Sequence, residues 1–181
     1  MTEVTLAPNL TLRPIEPTDH AAHLALMHRI YPPAFAYLWP DAGKWYVEHT
    51  HRREALLTDL ADPDCPYYHV YYRNQLSGIF RLRLRNECPD FPGEPALLLH
   101  RLYLDDGVRG HGVGTRIVDY AKAETARLGR SLLWLERMDT NEATIGFYRK
   151  NGFRDGGAFR LTFELMPERF RGMFRMWWRV G

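Results

Sequence analysis

Cysteine is scarce in this chain: Cys65 and Cys88 are the only two in 181 residues. Both stand beside proline in stretches that read as loops, and they form no C-x-x-C. That argues against a disulfide scaffold or a cysteine zinc site and predicts free thiols in a reducing cytoplasm. An excess of one charge is also lacking. Lys and Arg total 24, Asp and Glu 22, and the net charge is +2, so composition points to neither a nucleic acid nor a membrane surface as partner. No apolar run approaches bilayer-spanning length. The first residues carry no basic segment followed by an apolar run, so no export leader is expected. Repeats and low-complexity tracts are missing as well. What remains is a chain with 45% hydrophobic residues and one domain's length, 1–181, enough for a packed core.

The chain is organised around residues 97–129. Leu97-Leu98-Leu99-His100-Arg101-Leu102-Tyr103-Leu104 reads as a strand. Asp105-Asp106-Gly107-Val108 follows, then Arg109-Gly110-His111-Gly112-Val113-Gly114-Thr115, then a helical pattern closed by Gly129. Glycines on alternate positions bare the backbone where it turns into the helix. The N–H groups there face outward at the positive end of the helix dipole, which makes an anion cradle suited to a pyrophosphate. Arg109 adds a positive charge beside it. A P-loop would need Lys-Ser/Thr after its last glycine, and Gly114 is followed by Thr115-Arg116. A dinucleotide turn would need a third glycine where Thr115 stands, although Glu136 lies where an acidic ribose ligand would sit. A second pattern follows: the apolar strand Leu132-Leu133-Trp134-Leu135-Glu136, then Asn141, Phe147-Tyr148 and Gly152-Phe153.

With these two motifs in this order, the chain resembles the GNAT superfamily of acyl-CoA-dependent N-acetyltransferases. That family's central motif is a strand, Q/R-x-x-G-x-G/A and a helix. Its next motif is a strand, a helix-starting Asn and an aromatic-Tyr pair before Gly-Phe. The resemblance is close over residues 97–153 and elsewhere lies in the layout. It implies one α/β domain of the α+β type: a mixed, mostly antiparallel sheet with a central splayed parallel strand pair, flanked by helices. It implies acetyl-CoA as co-substrate and no metal. It also implies acetyl transfer to a primary amine of a small molecule or peptide by direct attack in a ternary complex, in keeping with the lack of a cysteine placed for a covalent route.

Around those motifs the chain reads as follows. Residues 10–15 alternate as a first strand, and residues 21–30 read as a helix ended by Tyr31-Pro32-Pro33. Residues 34–43 form a loop holding Phe35, Tyr37 and Trp39, and residues 44–60 read as one further helix. By the resemblance, the region between these two helices covers the acceptor. Residues 67–72 and 79–85 read as strands, the latter setting Leu82 and Leu84 against a solvated or ion-paired face of Arg81, Arg83 and Arg85. Asp139 and Glu142 have capping-box spacing before the next helix. Residues 158–166 and 173–180 read as a closing hairpin; its aromatics could pair two subunits, and its period-2 pattern argues against a base-stacking tail. His20 with His23, or His49 with His51, could share a face, but no Cys or carboxylate cluster completes a metal set.

The family pattern distributes roles over this chain. The amides of Gly110, His111, Gly112, Val113, Gly114 and Thr115 would hold the phosphates, with the charge of Arg109 beside them. A backbone N–H among Leu102, Tyr103 and Leu104 would polarise the thioester carbonyl, and Asn141 would bond the pantetheine arm. Tyr148 matches the family's acid, and a phenol with pKa near 10 keeps its proton at neutral pH. The base is open between His100 and Glu136. Arg137, where the family often has a valine, would favour an anionic acceptor if it points inward. A non-catalytic CoA-binding module is the alternative function, and a nicotinamide-binding α/β enzyme a third.

Overall fold

The computed structural model describes residues 2–181. Its strands are β1 (Val4–Ala7), β2 (Leu10–Pro14), β3 (Tyr67–Tyr72), β4 (Gln75–Arg83), β5 (Ala96–Leu104), β6 (Leu132–Met138), β7 (Arg154–Arg160) and β8 (Gly172–Arg179). Its α-helices are α1 (His20–Phe35), α2 (Lys44–Thr50), α3 (Arg53–Ala61), α4 (Val113–Arg127) and α5 (Glu142–Lys150). The sheet is mixed: β5 and β6 are parallel, while β1–β2, β2–β3, β3–β4, β6–β8 and β7–β8 are antiparallel. The chain divides into two compact units, one of Met1–Leu82 with Arg101–Ile117, the other of Arg83–His100 with Val118–Gly181.

In the first unit the strands follow the order β1-β2-β3-β4. Leu10, Leu12, Val70 and Ile79 are buried on them, as are Leu26 and Met27 of α1. Asp105 N donates to Ser77 O at 2.8 Å, holding the end of β5 to β4. The alternation expected over residues 79–85 is corrected: β4 is buried without a break from Ser77 to Leu82 and ends at Arg83, and its Arg81 lies inside, ion-paired with Asp59.

Two helix expectations are corrected here. The prolines do not end α1 at Tyr31; the helix runs through Pro32 and Pro33 to Phe35. An interior proline removes an N–H and crowds the preceding turn. Here both fall in the last turn, and Tyr31 and Phe35 meet the Tyr103 ring edge-on at 5.9 and 5.6 Å, which anchors that turn. The single helix over residues 44–60 is two, because Arg52 is extended at φ −60°, ψ 160°. The break lets His51 turn inward, 1% exposed, with its carbonyl accepting from His20 Nε2 at 3.2 Å.

In the second unit the order is β5-β6-β8-β7. The parallel ladder runs from Ala96↔Leu132 to Leu99↔Leu135, while β6 pairs antiparallel with β8 along its whole length. The closing hairpin therefore inserts β8 beside β6, and its first strand is Arg154–Arg160 rather than residues 158–166. Asp90 fixes that shift: it accepts from Gly157 N at 2.7 Å and from Arg175 Nη1 at 2.9 Å. Asp139 does not cap α5, since it packs against Gly172 and donates its N–H to the Gly172 carbonyl. Asn141 caps instead, its Oδ1 accepting from Thr144 N at 3.0 Å. The buried face of α4 uses Ile117, Val118, Ala121 and Thr125. Glu124, one turn after Ala121, turns aside to Arg127 at 2.7 Å.

Candidate functional site

The glycine turn is built from local chemistry. Asp105 Oδ1 accepts from Gly107 N at 2.9 Å, and a short 3-10 turn, Asp106–Val108, follows with Val108 buried. Gly110 and Gly112 then take φ of +77° and +73°, the left-handed region that side chains with a Cβ avoid. A Cβ at either would meet nothing within 4 Å, so the surface over both is bare backbone. Arg116 N donates to Gly112 O at 3.1 Å, which makes Gly112 the residue where α4 begins. The amides of Val113, Gly114 and Thr115 are thus first-turn donors with no partner inside the helix. Together with the helix dipole they fit a phosphate group.

The side chains of this loop do less than its backbone. Arg109 pairs with Asp106 at 2.8 Å and stands 70% exposed, so its charge is already shared. His111 stacks on Tyr72, with centroids 5.7 Å apart. The two border a cleft of about 690 Å³ that also takes in Arg29, Arg73 and Asp105. Val113 is buried, so only its amide is on offer. Leu102, Tyr103 and Leu104 are half-buried on β5. Burial lifts the Tyr103 hydroxyl well above the ordinary phenol range, and Tyr46 is its hydrogen-bond partner.

The other four predicted residues lie in the second unit. His100 and Glu136 each follow a member of the last parallel pair, Leu99↔Leu135. Glu136 stands opposite Arg175 of β8. Partial burial raises its carboxyl above the usual range, against the pull of Arg175 and Arg83. Asn141 spends its Oδ1 on the α5 cap. Tyr148 is 7% exposed, with Phe147 at 5.0 Å and Phe153 at 5.4 Å. Burial pushes its hydroxyl well above the ordinary phenol value, which keeps it an O–H donor. Arg137 does point inward, but Asp155 accepts from its Nη2 at 3.3 Å and Phe174 lies beneath its guanidinium. Its charge is answered inside the unit and does not call for an anionic acceptor.

Sequence reasoning missed a buried polar network in the first unit. His23 Nε2 lies 2.9 Å from His51 Nδ1, and His23 Nδ1 lies 3.3 Å from His69 Nε2. Because His23 uses both ring nitrogens on different neighbours, the three form a chain and do not converge on one point. Burial lowers their pKa values to about 3, 2 and 4 for His23, His51 and His69. Beyond them Tyr67, Arg101, Asp59 and Arg81 continue the network. A charged Arg101 among the leucines of β5 was the local sign of it.

The model of the acetyltransferase (GNAT) family matches residues 24–153. The chain belongs to that family. Its fold agrees with solved structures of the same family. One is an acetyltransferase from Salmonella typhimurium that modifies the N-terminal serine of ribosomal protein L7/L12, at TM-score 0.74 and 15% identity, with 99% of each chain covered. Another is the PaiA N-acetyltransferase of Thermoplasma acidophilum in complex with coenzyme A, at TM-score 0.69 and 17% identity over 94% of this chain and 99% of that one. In sequence, an uncharacterized N-acetyltransferase of the pepI 3' region from Lactobacillus delbrueckii subsp. lactis is 22% identical over 113 residues. That match spans 62% of this chain and 65% of the relative. Acyl-CoA-dependent acetyl transfer is thus the chemistry of the GNAT family to which the chain belongs.

Proposed function

We propose that this chain is an acyl-CoA-dependent N-acetyltransferase acting on a primary amine of a small molecule or peptide, and that it works as one domain over residues 1–181. The observation that carries the reading is the β5–turn–α4 segment. Its left-handed Gly110 and Gly112 and first-turn amides suit a pyrophosphate, within a span matched by the family model. A coenzyme A complex of a structural relative supports the same co-substrate. Acetyl-CoA, when bound, supplies the activated acetyl thioester. The residues of the chain then have five tasks. The amides of Gly110, Gly112, Val113, Gly114 and Thr115 hold the phosphates, while those of Arg109 and His111 close the turn on Asp106 O and Val108 O. A backbone N–H of β5 among Leu102, Tyr103 and Leu104 polarises the carbonyl. Tyr148, kept protonated by burial, donates to the departing sulfur. His100 or Glu136 takes the amine proton, and Asn141 positions the pantetheine arm.

The acceptor class is open at this level; the Salmonella relative is described as acting on a protein N-terminus. Both cysteines are free and buried, which suits a reducing compartment such as the cytoplasm. No helix among the described residues is long and apolar enough to cross a membrane. The test is release of free CoA from acetyl-CoA across an amine library. Amine-dependent thiol release supports the reading. Tight acetyl-CoA binding without release to any amine would favour the non-catalytic alternative.

A further inference from the structure

Arg101 lies on β5, two residues before Tyr103 and on the same face of the strand. That face is met by the first-unit helices: Asp59 of α3 reaches Arg101, while Tyr31 and Phe35 of α1 reach Tyr103. The Arg101 side chain is 11% exposed, against 3% for Arg81. Both guanidiniums use a single oxygen, Asp59 Oδ2, at 2.9 and 2.8 Å. One negative charge is therefore divided between two cations.

The hydrogen bonds of Arg101 leave from one nitrogen. Nη1 donates to Asp59 Oδ2 at 2.9 Å and to the Tyr67 hydroxyl at 3.3 Å. The Tyr67 ring supports the guanidinium, 5.7 Å from centroid to Cζ. The opposite edge, Nε with Nη2, takes no part in these bonds. It is the edge that meets a carboxylate side-on with two parallel bonds. The groups that feel the Arg101 charge are the phenols Tyr67, Tyr46 and Tyr103, the carboxylate Asp59, and the histidines His23 and His51. Both histidines are held neutral, so Asp59 is the only anion in that set. A mostly buried guanidinium that shares its counter-ion and has a two-donor edge outside these bonds is prepared for one more anion.

We infer that Arg101 recognises a carboxylate of the acceptor, so that the substrate class is a small amine carrying one carboxylate, such as an amino acid. The inference rests on the acetyl-transfer reading and on the α1–α2 region bordering the acceptor. A carboxylate suits this edge better than a tetrahedral phosphate does. Planarity matters too, since two parallel donors match two coplanar oxygens.

The test compares amines in pairs, each amino acid against its carboxamide (glycine and glycinamide, phenylalanine and phenylalaninamide, lysine and lysinamide), by thiol release from acetyl-CoA. In the wild-type chain, the preferred acid should exceed its amide in kcat/KM by about tenfold or more, the size expected of hydrogen bonds to a charged group. Arg101→Gln should collapse that ratio toward one, chiefly through KM of the acid. Arg101→Lys keeps the charge on Asp59 but loses the fork, and should leave an intermediate ratio; it also serves if the glutamine variant does not fold. Amides used as well as acids, or a ratio unmoved in both variants, would overturn the inference, as would an absence of transfer to every pair in a chain that binds acetyl-CoA. Calorimetric titration of the same acids and amides, without acetyl-CoA, separates the two layers of the argument. Failure to bind acetyl-CoA defeats the transfer reading. Acid-selective binding lost in Arg101→Gln would still support the carboxylate site, and equal or absent binding of acid and amide would overturn it.

Discussion

Leu99 and Leu135 form the last registered pair of the parallel ladder, and the residues that follow them, His100 and Glu136, are the two candidate bases. Each strand thus presents a titratable group at its first position beyond the ladder. Their pH signatures differ. Glu136 titrates above the usual carboxylate range because its carboxyl is partly buried. If Glu136 takes the amine proton, Glu136→Gln should lower kcat/KM by about a hundredfold and remove the acid limb of its pH profile. His100→Gln should then leave that limb in place. The reverse pattern would assign the base to His100.

Tyr148 is enclosed by Phe147 and Phe153, and burial keeps its phenol protonated across the neutral range. Tyr148→Phe removes the donor and leaves the packing. Turnover should fall by at least about tenfold, with the calorimetric affinity for acetyl-CoA nearly unchanged. An unaltered kcat would remove Tyr148 from the acid role and leave it a core residue.

Asp59 accepts from both Arg81 and Arg101 through one oxygen. Asp59→Asn keeps the shape and removes the charge these guanidiniums share. Removing one partner of a buried ion pair costs about 3–5 kcal/mol, far more than deleting an exposed pair. Denaturant unfolding should show a loss of that order. The exposed pair of Arg13 with Glu3 is the control, where Glu3→Gln should cost less than about 1 kcal/mol. Equal effects of the two substitutions would mean that the Asp59 network adds nothing to stability.

The histidine chain sets a direction for acid stability. His23, His51 and His69 have folded pKa values of about 3, 2 and 4, against 6.5 in an unfolded chain. Above pH 6.5 both states are neutral and the full stability is present. Below it the unfolded chain takes up protons that the folded chain refuses, so stability falls as pH drops from 6.5 toward 4. By pH 5 the loss is roughly 2 kcal/mol for each histidine. The melting temperature should drop by about 10 °C or more between pH 7 and pH 5, and His69→Gln, with one titrating group fewer, should show a shallower slope. A melting temperature that is flat over this range would contradict the buried neutral chain.

How much of this was legible in the sequence follows from how local each signal was. The β5–turn–α4 segment was readable because its information lies in adjacent residues: an apolar run, then glycines where the backbone needs positive φ, then an amphipathic helix. The start of α5 at Asn141 was readable through the family resemblance, whose second motif opens a helix on that asparagine. The break at Arg52 was not, because residues 44–60 have helical spacing throughout and the contact that goes with the break, His51 with His23 on α1, is distant in sequence. The continuation of α1 through two prolines likewise depends on Tyr103, about seventy residues away. The Arg101 network joins α3, β3, β4 and β5, and no window along the chain holds those partners together. The cap of α5 shows a finer limit: Asp139 and Asn141 are both good capping types, and the contact of Asp139 with Gly172 on β8 decides between them.

The central claim is that the glycine turn holds the pyrophosphate of acetyl-CoA, and calorimetric titration of acetyl-CoA into the wild-type chain and into Gly112→Asp tests it most directly. Gly112 sits at φ +73° with open space over its Cα, so an aspartate there brings both backbone strain and a negative charge to the cradle. Micromolar binding of acetyl-CoA to the wild-type chain is expected, with weak binding of NAD and ATP and no detectable acetyl-CoA binding to a folded Gly112→Asp chain. Wild-type affinity in that variant, or tighter binding of NAD than of acetyl-CoA, would contradict it.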